Sequence, residues 1–162
     1  MKNNQIVWRK NIQKTDEKNV RNIVESTGFF NPEEIEIAVE LVTERLQKGI
    51  VSGYHFIFAE ITGQTIGYAC FGPIPATQSS YDLYWIAVHN DYRGTGIGKQ
   101  LLTLSEKTIA EMGGKRIYIE TSGREQYRPT RAFYLACNYT KAAVLNEFYA
   151  PGDAKYIYVK SL

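Results

Sequence analysis

Trp85-Ile86-Ala87-Val88-His89-Asn90-Asp91-Tyr92-Arg93-Gly94-Thr95-Gly96-Ile97-Gly98-Lys99 is the stretch on which the reading turns. The aromatic and β-branched run from Tyr81 to Val88 predicts a strand. A glycine-rich turn follows. Leu101, Leu102, Ser105, Ile109 and Met112 then recur on one helical face until Gly113-Gly114 ends the run. Arg116 to Thr121 predicts the next strand. The strand–helix–strand unit over 81–121 is expected to be parallel and right-handed. Glycines at the turn permit positive φ and let a ligand lie against the main chain. The first N–H groups of the following helix lack partners, and the helix dipole adds positive charge there, so this corner suits phosphate oxygens.

Two familiar phosphate motifs do not fit. Counting from Gly94 and Gly96, the third glycine of a dinucleotide fingerprint falls on Lys99. A P-loop would need glycine where Arg93 stands and Ser or Thr where Gln100 stands. What remains is Arg93-x-x-Gly96-x-Gly98.

Outward from the loop, the N-terminal third reads as one strand and two helices. Gln5 to Arg9 is a short strand. Thr15-Asp16-Glu17 starts a helix, with acidic residues suited to its N-terminus, and Gly28 ends it. Asn31-Pro32-Glu33-Glu34 starts the second: Asn31 caps, Pro32 takes the first helical position and Glu34 the capping-box position. Ile35, Ala38, Val39, Val42 and Leu46 form its apolar stripe, stopped by Gly49. His55 to Ile61, the turn Thr62-Gly63-Gln64 and Thr65 to Phe71 make a hairpin. Beyond the central unit, Pro129 to Ala136 is a short helix. Ala142 to Tyr149 and Lys155 to Lys160 close the chain as a hairpin around Pro151-Gly152. The fold class is α/β (α+β): a mixed, mostly antiparallel sheet flanked by helices, in one domain over residues 1–162.

Composition narrows the function. Nineteen Lys and Arg against 17 Asp and Glu give a net charge of +2, which does not favour a nucleic-acid or acidic-polymer partner. Hydrophobic content of 44% and charged content of 22% are those of a folded globular chain. No run of about 18 apolar residues predicts a membrane span, and Met1 to Lys10 has no apolar core of a signal peptide. Cys70 and Cys137 form no CxxC pair, and His55 and His89 do not complete a zinc set with them, so no metal site is expected. Two buried, reduced thiols in a cytoplasmic protein are the reading.

The loop Arg93-x-x-Gly96-x-Gly98 resembles the coenzyme A pyrophosphate loop of the GNAT N-acetyltransferase superfamily. The resemblance runs in order over 81–139: strand, loop, helix, strand, then Phe133-Tyr134 leading to Asn138-Tyr139, where the family commonly shows "fY-x-x-x-GF". The two N-terminal helices and the closing hairpin also match, so the GNAT acyl-CoA N-acyltransferase fold is expected. Asn138 replaces the usual glycine, a swap that a left-handed helix cap tolerates. Tyr127 replaces an Asn that helps hold the coenzyme in many members. The segment Tyr127-Arg128-Pro129-Thr130-Arg131 is similar to that of a subset of bacterial chains labelled as acetyltransferases of D-alanine or other small amines.

The resemblance implies acetyl-CoA as cosubstrate, held by Arg93, Gly94, Thr95, Gly96, Ile97, Gly98 and Lys99. It further implies main-chain contacts from Ile86, Ala87 and Val88, the amide near Val88 polarising the acetyl carbonyl. Thr130 and Phe133 are expected to add coenzyme contacts. Tyr134 matches the general acid, a phenol near ~10 able to serve a departing thiol near ~8.5. The base is Asp82, which strict alternation places on one face with Tyr84, Ile86 and Val88, or Glu120 on the neighbouring strand, or water. Phe30, Tyr127 and Tyr149 are expected to wall the acceptor pocket, with Arg128 or Arg124 available to a substrate carboxylate. The leading function is transfer of acetyl to a primary amine of a small molecule or amino acid. Acetylation of a protein or peptide amine and a non-catalytic coenzyme-sensing module are the alternatives. A homodimer is the family-level expectation.

Overall fold

The computed structural model describes residues 5–162, in the order β1 (Val7–Arg9), α1 (Asp16–Ser26), α2 (Pro32–Lys48), β2 (His55–Ile61), β3 (Gln64–Pro73), β4 (Ser80–Val88), α3 (Ile97–Glu111), β5 (Arg116–Ser122), α4 (Arg128–Ala136), β6 (Thr140–Ala150) and β7 (Asp153–Ser161). The seven strands order as β1-β2-β3-β4-β5-β7-β6. β4 and β5 run parallel, as the helical crossover between them requires. The pairs β1–β2, β2–β3, β5–β7 and β6–β7 are antiparallel. The residues group into two compact units, one comprising the chain up to Gly72 with Trp85–Lys107, the other Pro73–Tyr84 with Thr108–Leu162.

In the first unit α1 buries Val20, Ile23 and Val24, and α2 buries Ala38 and Val42, against Phe56, Phe58, Tyr68, Cys70 and Ala87. The α2 start is the expected one. Asn31 Oδ1 accepts from the Glu34 amide at 2.8 Å, and Glu34 Oε2 accepts from the Asn31 amide at 2.9 Å. Asp16 does more than complement a helix dipole. It is fully buried and grips Arg9 through two bonds of 2.8 and 2.9 Å, while Arg9 Nε donates to Glu60 at 2.7 Å. Asp16 also accepts from the Gln13 amide and the Asn19 side chain. This ties β1 to α1 and β2. Cys70 is buried as expected, whereas Cys137 is only partly so, because it lies just past α4 at its exposed end.

In the second unit the registers sort side chains by face. Tyr81 and Leu83 pair with Ile117 and Ile119, and Ile119 and Thr121 pair with Tyr158 and Tyr156. The α4 helix covers this face: Tyr134 meets Tyr158 with centroids 6.0 Å apart, and the Arg131 guanidinium lies 5.0 Å over Tyr156. The opposite face carries Asp82, Tyr118, Glu120, Ser122 and, across the β5–β7 ladder, Lys155 and Ile157.

At the start of β4, Tyr81 lies 2.8 Å from the position a side chain at Gly114 would take, which is also against Ile109 of α3. The β4–β5 ladder pairs Ser80 to Leu83 with Arg116 to Ile119. In the first unit, Val88 lies with Leu101 of α3 beside Gly67.

Candidate active site

The loop after β4 is built for close approach. A short turn, Asn90–Tyr92, leads to extended Arg93, and α3 begins at Ile97. Gly94 and Gly96 have φ of 75° and 84°, and nothing lies within 4 Å of the position a side chain would occupy at either. Positive φ rather than crowding therefore selects glycine here, and the main chain is left open. Gly96 accepts the first helical bond, from Gln100 at 3.1 Å, which leaves the amides of Ile97, Gly98 and Lys99 without intrahelical partners. Thr95 Oγ1 donates to the Tyr92 carbonyl at 2.6 Å and braces the turn. The Arg93 guanidinium lies 5.3 Å from the Phe29 ring centroid. These features fit a diphosphate such as that of coenzyme A.

The end of β4 is held against β3. The His89 amide donates to Ile66 of β3 at 2.7 Å, and the Ala87 carbonyl oxygen lies on the β3 side, 3.2 Å from the side-chain position of Gly67. Successive peptide groups of a strand point to opposite edges, so the Val88 amide points away from β3.

Tyr134 is positioned by how α4 ends. Asn138 has φ 69°, the Tyr139 amide donates to the Tyr134 carbonyl at 3.0 Å, and the Asn138 amide donates to Leu135 at 3.1 Å. This is a Schellman cap with Asn in the left-handed position, and the Tyr134–Tyr139 ring contact, 5.9 Å between centroids, is its usual apolar pair. Tyr134 is 5% exposed. Burial first, and the nearby Cys137 second, push its phenol well above the ordinary range. Phe133 packs beside it at 5.5 Å, and Thr130 is partly buried one turn earlier.

The two candidate bases are neighbours on the other face. Asp82 is half-buried, and its pKa is pushed up to about 6 by burial, further raised by Glu120 and lowered by Lys155. Glu120 is committed to Lys155, Oε2 to Nζ at 2.8 Å, and the same ammonium lies 4.3 Å over the Phe148 ring. Lys155 was not among the residues marked from sequence. Its side chain is 14% exposed, against 49% for Glu120.

The expected acceptor-side residues divide. Phe30 belongs to the first unit, where it meets Trp85 edge-on at 4.9 Å; Trp85, unmarked from sequence, is the aromatic partner there. Tyr149 stands with the carboxylates: burial raises its phenol, and Glu120, Asp153 and Tyr127 raise it further. Arg128 faces solvent in an exposed pair with Glu125 at 3.0 Å. Arg124 lies 5.4 Å over the Tyr127 ring and pairs with Asp153 at 3.3 Å. Asp153 also accepts from Ser122 Oγ, and Arg131 donates to the Ser122 and Arg124 carbonyls at 2.8 and 2.9 Å, so the loop entering α4 is held at several points. A polar cleft of about 440 Å³ in the first unit, lined by residues such as Asn19, Glu25, Gln64 and His89, contains none of the marked residues.

Comparison with known proteins places the fold in a family. A crystal structure of a chain from Desulfovibrio desulfuricans, assigned to the GNAT acetyltransferases, is 44% identical and superposes with a TM-score of 0.96 over 97% of this chain and 99% of that one. An aminoglycoside 6'-N-acetyltransferase complexed with coenzyme A shares the fold at 15% identity, with a TM-score of 0.75 over 96% of each chain. An N-alpha-acetyltransferase of Sulfurisphaera tokodaii is 28% identical over 112 residues, 63% of this chain and 66% of that protein, so the chain spans just under two thirds of that relative's length. The family model described as Acetyltransferase (GNAT) family matches residues 21–139. That match takes in both the glycine loop and the tyrosine of α4, and the chain belongs to the GNAT acetyltransferase family.

Proposed function

We propose that the protein transfers an acetyl group from acetyl-CoA to a primary amine of a small molecule or amino acid. The observation that carries the reading is Asp82, a half-buried carboxylate raised to about 6 and set beside a second carboxylate, Glu120. Such a group is ionised at neutral pH yet basic enough to take a proton from an alkylammonium during transfer. The open main chain at Gly94 and Gly96 supports coenzyme binding by the Arg93 loop.

The residues then have separate tasks. The loop amides hold the diphosphate, and the Val88 amide faces the acetyl carbonyl. Asp82 accepts the proton that the amine loses as its nitrogen bonds to the acetyl carbon. Tyr134, kept protonated by burial, serves the sulfur as the carbon–sulfur bond breaks, so the coenzyme leaves as the thiol. Tyr149 and the Asp82–Glu120 carboxylates favour a cationic acceptor near them.

A second acceptor class, the α-amino group of a protein or peptide, is favoured by the name of the Sulfurisphaera tokodaii relative. Release of coenzyme A measured over a panel of small amines, free amino acids and short peptides separates the two. Turnover restricted to peptides transfers the assignment to the second class, and coenzyme binding with no turnover on any amine removes the enzymatic reading.

A further inference from the structure

The turn that leads into the Arg93 loop is held from outside by the end of α1. The His89 amide is fixed to Ile66 of β3 at 2.7 Å, and α3 begins at buried Ile97. Between these two anchors the chain mostly bonds to itself. The Asp91 amide donates to His89 Nδ1 at 3.2 Å, the Tyr92 amide to the His89 carbonyl at 2.9 Å, and Thr95 to Tyr92. With Gly94 and Gly96 inside it, such a stretch has many conformations to lose. Among the described residues, one hydrogen bond reaches it from a distant element: the Asn90 amide donates to Ser26 Oγ at 3.0 Å, across 64 positions of sequence. Ser26 is suited to accept. Its own hydroxyl proton goes to the Ile23 carbonyl at 2.6 Å, which fixes the oxygen and leaves its lone pairs for a donor. The helix beneath is anchored, since Val20, Ile23 and Val24 are fully buried. The chain leaving α1 is pinned as well: Thr27 Oγ1 donates to the Val24 carbonyl at 2.7 Å and accepts from the Phe29 amide at 3.3 Å. That sets the Phe29 ring against the Arg93 guanidinium. All of these residues lie in the first unit.

We infer that Ser26 is a positioning residue for coenzyme binding: through the Asn90 amide it holds the Arg93 loop in its binding shape before the coenzyme arrives. The inference rests on the coenzyme reading of that loop. A diphosphate that meets amides already aimed at it does not have to order the turn, and that ordering cost is what Ser26 removes. Ser26 acts through the main chain of Asn90 rather than by touching the coenzyme. Phe29 does the companion task for the Arg93 guanidinium, which it holds by its ring face.

The test compares Ser26→Ala with Ser26→Thr, which keeps the hydroxyl, and with Asn22→Ala, a change one turn earlier on α1. Loss of one neutral hydrogen bond predicts about five-fold weaker coenzyme A binding by Ser26→Ala in calorimetry. The KM for acetyl-CoA should rise by about the same factor while kcat stays within about two-fold of the parent. Ser26→Thr and Asn22→Ala should bind coenzyme A as the parent does. Hydrogen exchange supplies the second readout: the Asn90 amide should exchange faster in Ser26→Ala, and the Ile23 and Val24 amides should keep the parent's protection. Coenzyme A affinity within about two-fold of the parent in Ser26→Ala overturns the inference. So does an equal loss in Ser26→Thr or Asn22→Ala. Weaker binding that comes with lost protection at Ile23 and Val24 also overturns it, because Ser26 would then serve only the helix. Failure of the parent protein to bind coenzyme A at all overturns the loop reading beneath, and is told apart because no variant is then needed.

Discussion

If Asp82 is the base, its neighbours set the pH at which the enzyme switches on, and they do so with opposite signs. A group titrating at about 6 is about one-tenth ionised at pH 5 and about nine-tenths at pH 7. The acidic limb of kcat/KM should therefore have its midpoint near 6 and level off above neutrality. Lys155 lowers the Asp82 value and neutralises Glu120, which raises it. Lys155→Met removes both helps and moves the limb to higher pH. Glu120→Gln removes the like charge and releases the ammonium, and moves the limb to lower pH. At pH 6, where about half of Asp82 is ionised, the gain in Glu120→Gln is at most about two-fold, while Lys155→Met loses activity. Asp82→Asn loses the limb and roughly 10²-fold or more of the rate. The assay is chromatographic measurement of coenzyme A release from pH 5 to 8 with one acceptor, so that the ionisation of the acceptor is common to all variants. Stability gives a second readout. The folded value lies above the unfolded one of about 3.9, so the native state holds the proton more tightly, and stability falls as pH rises from about 4 to 6. Asp82→Asn should then be more thermostable than the parent at pH 7 and indistinguishable at pH 4. A limb that persists in Asp82→Asn, or that fails to move in opposite directions in the two neighbours' variants, refutes Asp82 as the base.

Three other outcomes are expected. Tyr134→Phe keeps the ring that packs on Tyr139 and Tyr158, so it should bind coenzyme A normally and lose roughly 10²-fold in kcat; a kcat within two-fold of the parent removes the acid role. Gly96→Val forces a β-branched residue to φ 84°, at a loop strain of roughly 1–2 kcal/mol; calorimetry should show coenzyme A affinity reduced at least about ten-fold with the circular dichroism of the fold unchanged, and unaltered affinity contradicts the loop assignment. Asp16→Ala leaves Arg9 ion-paired only through Glu60 among the described residues, with the Asn11 carbonyl and the Phe58 ring as its other partners, and should destabilise by about 3 kcal/mol in urea unfolding; a loss under about 1 kcal/mol would show the Arg9–Asp16 pair to be dispensable.

What the sequence made legible is local. The capping box of α2 is written in four consecutive residues, and its two bonds form as the spacing requires. The glycine loop is equally local, because positive φ at Gly94 and Gly96 leaves few residue choices. Asn138 is readable for the same reason. What escaped depends on register. Lys155 meets Glu120 only because β5 and β7 pair Ser122 with Lys155, and nothing in either strand's own pattern announces that alignment. The acidic pair Asp16-Glu17 looked like dipole complement, yet Asp16 is an ion-pair partner of a strand residue, a contact between elements.

The β5 registers decide how the proposed chemistry is divided. Odd-numbered positions of β5 face α4 and Tyr134, and even-numbered ones face Asp82 and Lys155. The proposed acid and the candidate bases therefore belong to opposite faces of one sheet, so that the amine loses its proton on one side while the sulfur is attended on the other, and no single side chain of β5 can serve both steps.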